Sequence, residues 1–354
     1  MIELIAHETP VPAQQPHTSG VQGTSACTPP GTQQRTTVLH CPPAPPERAE
    51  VAAEINSRII AWMAGLGLDS EDNVEGVYKH DPGRGITLCH PGSQDVDRMT
   101  AAGKMIVAET AVDDYFCETN SRRDTDDQNI GPNLSLAQSA IDAPCLTPDY
   151  QAVWEAKRTG HPVLRAQHEA FNDLKRISSP AQAQRIRHDI AQLYLGYNAE
   201  NGWRLLNRLP PAWQYLANRQ MNSFRPCLNL TDVLDGYEIP AELHTHPLVQ
   251  DCTARASLIA TLHNDLASCE REIREHGLPF NLPAVIAAEE HLPLDEAFIK
   301  ACEVHNELIR TFEDDTERAT AALPNPAVAR FLTGLWAWIA GSRHWHFTTA
   351  RHRG

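Results

Sequence analysis

Two groups of oxygen-bearing side chains in this 354-residue chain have the types and spacing to hold a hard cation. The first is DDYFCE, from Asp113 to Glu118. On a helix Asp114 and Glu118 lie one turn apart on a shared face, with Asp113 beside them, so three carboxylates meet at one helix end. A helix C-terminus already carries partial negative charge, and more carboxylates there are destabilising unless cations bind. Magnesium takes ligands of this kind, together with water and substrate phosphate oxygens. Taken alone, the motif reads more readily as an acidic helix end facing solvent.

The second group is more specific. In NDLASCERE, Asn264, Ser268 and Glu272 recur at intervals of four residues. On a helix they form one slowly drifting stripe, so an amide oxygen, a hydroxyl and a carboxylate converge on a single cation. The bland alternative is a polar helix face with Ser268 in water. The stripe lends weight to the acidic motif rather than the reverse.

The elements that must position these groups are helical. From Arg48 onward apolar residues recur three and four apart, interrupted by Pro and Gly. The pattern predicts helices over 48–66, 94–119, 134–142, 147–176, 180–207, 210–223, 229–236, 251–276, 281–290, 293–321 and 325–342. The breaks are short, which favours a single α-helical domain over 48–354. Residues 1–47 are rich in Pro, Thr, Gln and Ser, with Pro-Pro pairs and almost no apolar periodicity. Such a composition buries too little surface to offset the entropy of ordering, so it predicts a disordered tail. The fold class expected is all-α.

Charge and cysteine usage exclude several functions. A net charge of −15 with no basic stripe argues against a nucleic-acid partner. No run of 18 apolar residues and no signal-like start is present, so no membrane partner is expected. The nine cysteines are scattered without a CxxC pair, which fits a reduced cytoplasm. The pairs His244/His246 and His344/His346 lack further ligands at metal spacing and read as polar loop histidines.

A DDxxxE motif followed downstream by N-D-x-x-S-x-x-x-E resembles the signature of bacterial class I terpene synthases. The resemblance implies a helical barrel with both motifs at the mouth of an apolar cavity and three magnesium ions between them. Asp113, with Glu118, would bind two ions, and Asn264, Ser268 and Glu272 the third. The end of the chain, LWAWIAGSRHWHFTTARHRG, is similar to the family's closing segment. Gly341 and Trp345 match it, Arg351 falls on its phosphate-binding arginine, and His352 replaces its tyrosine. Arg219 falls near the family's diphosphate-sensing arginine, and Arg271 on the basic position before the last metal ligand. Asn222 and Ser223 would sit at the helix break where ionisation is triggered. Phe116, Trp338, Trp345 and Phe347 are the candidate cavity aromatics.

Several segments narrow the resemblance: HPGSQDVDRM before the acidic motif, Cys117 within it, LSLAQSAIDAP and DGYEIPAEL. They are similar to the branch acting on geranyl diphosphate methylated at C2. The residue after Glu118 is Thr119, where the family usually has an acid. That branch implies a bornane-type product, 2-methylisoborneol by water capture or 2-methylenebornane by proton loss. Other readings are a cyclase of geranyl or farnesyl diphosphate and, in another class, a non-catalytic helical binding protein. The partner implied is an isoprenoid diphosphate, and the chain is otherwise silent on assembly beyond admitting a homodimer.

Overall fold

The computed structural model describes residues 5–6, 24–27, 37–68, 70–117, 130–275 and 279–349. Its described residues form sixteen helices. They are α1 (Ala49–Leu66), α2 (Glu71–His80), α3 (Pro82–Cys89), α4 (Val96–Phe116), α5 (Ile130–Ile141), α6 (Pro148–Gly160), α7 (Pro162–Ile177) and α8 (Pro180–Leu205). Then come α9 (Ala212–Arg219), α10 (Arg225–Leu228), α11 (Thr231–Leu234), α12 (Ala241–His244), α13 (Pro247–Glu275), α14 (Leu282–Glu290), α15 (Leu294–Ala322) and α16 (Pro326–Thr348). No helix among the described residues is long and apolar enough to cross a membrane.

Proline starts many of these helices. Pro82, Pro148, Pro162, Pro180, Pro247 and Pro326 each open one, because the first helical position has no use for an N–H and favours the fixed φ. This splits the helix expected over 147–176. His161 is extended (φ −109°, ψ 116°) ahead of Pro162, so α6 ends there and α7 begins. The stretch holding α2 and α3 was not foreseen, since its glycines and prolines obscure any period. Caps set other boundaries: Asp95 accepts from the N–H groups of Asp97 and Arg98 to start α4, and Ser179 with Gln182 forms a capping box on α8.

Three buried clusters hold the helices. One joins α1, α4, α5, α7 and α8 around Ile55, Met105 and Phe171. The second joins α10, α13, α15 and α16 around Phe312, Phe331 and Trp338. The third lies among α9, α13, α14 and α15. Several close approaches need glycine, two of them on α16 and α8. A β-carbon on Gly341 of α16 would stand 2.4 Å from the Leu88 carbonyl oxygen, and one on Gly196 of α8 2.6 Å from the Asn222 nitrogen. The second of these lets the α9–α10 break lie directly on α8.

The boundary of the N-terminal tail moves. Three short antiparallel strands are present: β1 (Ile5–Ala6), β2 (Thr24–Cys27) and β3 (Thr37–His40). The stretch after residue 37 docks on the helical domain. Leu39 and Cys41 are fully buried, Asn306 of α15 donates to the Val38 carbonyl at 2.8 Å, and its Oδ1 accepts from the His40 N–H at 2.8 Å. Composition missed this because two apolar side chains, Val38 and Leu39, in a polar run carry no period. Their burial depends on a groove made by distant helices.

Candidate active site

Helices α4, α8 and α13, with the α9–α10 break, enclose a cavity of about 200 Å³. On α4 the residues facing it are Ile106, Glu109, Thr110 and Asp113, spaced as one stripe. On α13 they are Thr261, Asn264, Arg271 and Glu272. The break contributes Arg219, Asn222, Ser223 and Phe224. A second cavity of about 320 Å³ adjoins it, sharing Ile106, Thr110, Phe224 and Asn264, and is walled by Val77, Val107, Val163 and Trp345 among others. The two thus make a polar end beside a largely apolar one.

The acidic motif divides between them. Asp113 faces the first cavity and Asp114 the second, since successive helical residues point about 100° apart. Glu118 lies outside the described residues, as do Thr119, Arg351 and His352.

The α13 stripe is brought to the cavity at two of its three positions. Asn264 and Glu272 line it, while Ser268 between them is fully buried. The Ser268 hydroxyl donates to the Asn264 backbone carbonyl at 2.8 Å and lies within hydrogen-bonding reach of Glu272. Asn281 donates to Glu272 at 2.9 Å, and Arg271 stands 3.9 Å from it. Burial nonetheless raises the Glu272 pKa, because the hydrogen bonds from Asn281 and Ser268 do not fully offset desolvation. A cation beside it would offset more. Among the described residues no group of three or more His, Cys, Asp or Glu side chains is placed to hold a metal. Asn264, Ser268 and Glu272 together offer a mixed, all-oxygen donor set, which suits magnesium.

Arg219 is buried and points at this end. It pairs with Asp265, and its Nη1 donates to the Asn222 carbonyl at 3.2 Å. Asp265 is itself held by the Tyr215 hydroxyl at 2.7 Å and the Leu282 N–H at 3.0 Å. Burial pulls the guanidinium pKa down, but the charge and hydrogen bond of Asp265, together with Tyr215 and Glu200, outweigh it and keep Arg219 charged. Asp265 was missed in the sequence: it follows Asn264 directly, so it faces inward just off the stripe. Asn222 donates to Glu200 at 2.9 Å, and Ser223 accepts from Ser257 at 2.9 Å. Glu200 and Arg204 of α8, paired at 2.5 Å, also line the cavity without having been singled out.

The aromatic wall differs from the one expected. Trp345 lines the second cavity, its indole donating to the His80 carbonyl at 2.7 Å. Phe116 instead stacks on His161, Phe347 is buried in the third cluster, and Trp338 sits behind the wall, donating to His90 Nε2 at 3.0 Å. They fill helix–helix packing because both α4 and α16 are covered on more than one face. The residue that does reach both cavities is Phe224, whose ring lies 5.7 Å from Trp338 and 6.3 Å from Trp345. Of the histidine pairs, His246 does lie in the turn between α12 and α13, while His244 is in α12 and His344 and His346 are in α16. His244 is buried between Asn229 and Gln250, and His344 reaches Glu47 at 3.0 Å.

Glu109, one turn before Asp113, is 6% exposed and accepts a weak hydrogen bond from the Cys227 thiol at 3.9 Å. Burial, then repulsion from Asp189, pushes its pKa up to about 8. Tyr194, Tyr197 and Asp113 are its other titratable neighbours, while Arg225 and Asn229 engage Asp189 on the far side. Between the unfolded value near 4.5 and about 8, the unfolded chain releases a proton that the fold retains, so this contribution falls as pH rises. Glu109→Gln removes it. Urea unfolding of the metal-free protein should show the variant gaining on the wild type from pH 5 to pH 8, by on the order of a few kcal/mol. Parallel pH curves would contradict the assignment.

With the geometry in place, the comparisons with known proteins are specific. The family model for terpene synthase family 2, C-terminal metal binding, matches residues 104–311. The chain is 81% identical over 353 residues to a 2-methylisoborneol synthase of Saccharopolyspora erythraea, covering 100% of both chains. It is 40% identical over 310 residues to the 2-methylisoborneol synthase of Streptomyces griseus, covering 87% of this chain and 70% of that one. Among solved structures, the 2-methylisoborneol synthase from Streptomyces coelicolor A3(2) in complex with Mg2+ and 2-fluoroneryl diphosphate superposes with a TM-score of 0.84 at 38% identity. That match covers 89% of this chain and 96% of the other.

Proposed function

The chain belongs to the terpene synthase family, and from that footing we propose that it ionises (E)-2-methylgeranyl diphosphate and cyclises it to 2-methylisoborneol. One observation carries the reading: Asp113, Asn264, Glu272, Arg219 and Arg271 line a single cavity that adjoins a more apolar one. The full-length likeness to a 2-methylisoborneol synthase supports the substrate and the alcohol product.

Magnesium, when bound, supplies the positive charge that lets diphosphate leave. We assign Asp113, with Glu118, to two of three ions, and Asn264, Ser268 and Glu272 to the third. Arg219 and Arg271 would receive the departing phosphate oxygens in their guanidinium forks, and Arg351 and His352 are assigned to the same oxygens. Arg219 is preorganised for this by Asp265 and Tyr215, so little reorganisation accompanies charge development. The leaving group must return to the tertiary carbon, so that the double bond can rotate, and leave again before the rings close. Phe224 and Trp345 present ring faces to the cation and keep bulk water out.

For assembly we propose a homodimer; Leu205, Leu206 and Trp213, more than half exposed where α8 leads into α9, are the apolar surface it would cover. Eight cysteines, from Cys41 to Cys302, are free thiols, which supports a reducing compartment such as the cytoplasm.

Incubation with magnesium and, separately, geranyl, 2-methylgeranyl and farnesyl diphosphates, read by gas chromatography with mass detection, tests the function. The C11 substrate should give 2-methylisoborneol with kcat/KM at least ~10-fold above geranyl diphosphate, the worth of one methyl group in a fitted apolar pocket. Turnover of farnesyl diphosphate alone would overturn the reading.

A further inference from the structure

The polar residues of the first cavity fall into two tiers. Asp113 on α4 and Asn264 on α13 mark the upper tier, toward which Arg219 and Glu272 also face. About one turn toward the N-terminus of each helix, Glu109 and Thr261 line the same cavity, with Cys227 of α10 beside Glu109. Diphosphate held at the upper tier would place the hydrocarbon, and the cation it becomes, beside the lower one.

A carboxyl group is an unusual wall for a carbocation, because an ionised carboxylate within contact would trap it as an ester. We propose that Glu109 is a positioning residue for the terminating step: as a neutral carboxyl, it holds through its carbonyl oxygen the water that captures the bornane-type cation. This rests on the C11 cyclase reading above. The surroundings suit a neutral acid. The strongest hydrogen bond the described structure gives Glu109 is the weak one from the Cys227 thiol, and the Arg225 guanidinium pairs with Asp189 instead. The Tyr194 hydroxyl, a buried neighbour of Glu109 with no hydrogen-bond partner among the described residues, adds polar capacity at the same level. Thr261 spends its own proton on the Ser257 carbonyl at 2.8 Å, leaving lone pairs as a second acceptor for the water. With its O–H bonds directed at Glu109 and Thr261, the water turns a lone pair to the cation.

The step balances simply. The water lone pair forms the new carbon–oxygen bond, and the oxonium gives one proton to the released diphosphate. Without a held water the cation instead loses a proton from carbon to the same base, and the alkene 2-methylenebornane results. Glu109 therefore bears on which product forms more than on whether ionisation occurs.

The test is the ratio of alcohol to alkene formed from 2-methylgeranyl diphosphate with magnesium by wild type, E109L and E109Q. E109L should lower the ratio about ten-fold or more, the scale of one lost hydrogen bond to water, while ionisation continues. E109Q, which stays neutral and keeps a carbonyl oxygen, should hold the ratio near wild type, and it decides the matter if E109L does not fold. A wild-type enzyme forming no alcohol overturns the proposed function and this inference with it. Alcohol from the wild type together with an unchanged ratio in folded E109L, or loss of alcohol in folded E109Q, overturns this inference alone.

Discussion

Asn264→Ala should lower kcat on 2-methylgeranyl diphosphate by at least ~10²-fold, the scale set by loss of a metal ligand or of one preorganised contact to developing charge. Asn264 is the stripe residue that lines both cavities, so its amide stands where the polar and apolar ends meet. The fold should survive the change. The Ser268 hydroxyl bonds to the Asn264 backbone carbonyl, which alanine retains, so stability should move by no more than ~0.5 kcal/mol. Thermal melting separates the two effects. Magnesium with pyrophosphate should raise the melting temperature of the wild type and have little effect on N264A. Equal shifts for both proteins would remove Asn264 from the metal site.

Arg219→Met should carry two large penalties at once. Asp265 is 1% exposed, and losing its guanidinium partner leaves a buried charge uncompensated, at a cost of ~3–5 kcal/mol in urea unfolding. Turnover should also fall by ~10²–10³-fold, because a preorganised cation is gone from the ionisation site. The double variant R219M/D265N distinguishes them. An asparagine at 265 still accepts from the Tyr215 hydroxyl and the Leu282 N–H through its amide oxygen, and no charge is left unpaired. Most of the stability should return while turnover stays low. Recovery of turnover in the double variant would reduce Arg219 to a structural partner of Asp265.

Both predictions concern residues whose visibility in the sequence differs. Asn264 and Glu272 are legible because period four on a helix is a local property, and a stripe of unlike oxygen ligands has few other uses. Asp113 followed from the same reasoning, but that Asp114 turns to the other cavity did not. Asp265 was passed over although it adjoins Asn264. Its importance lies in Tyr215, Arg219 and Leu282, which reach it from α9 and the start of α14. Glu109 was not singled out in the sequence, and only the approach of α8 and α10 makes it a buried carboxyl.

The aromatic assignments show the same limit. Trp338 and Trp345 sit seven residues apart on one helix, nearly on the same face, so helical periodicity treats them alike. The fold puts His90 and Phe224 against the first and leaves the second on a cavity wall.

By itself the sequence determined the helical class, the placing of Asn264 and Glu272 on one helix face and the family, because these depend on periodicity and on motifs read within one or two turns of chain. It did not determine which acid faces which cavity, which arginine is locked by a buried partner, which aromatic is wall and which is filler, or that Leu39 ends the tail by burial. Those were decided by the tertiary structure alone. Desolvation, charge pairing and cavity shape arise between helices far apart in the chain, and no local pattern encodes the distance at which they meet.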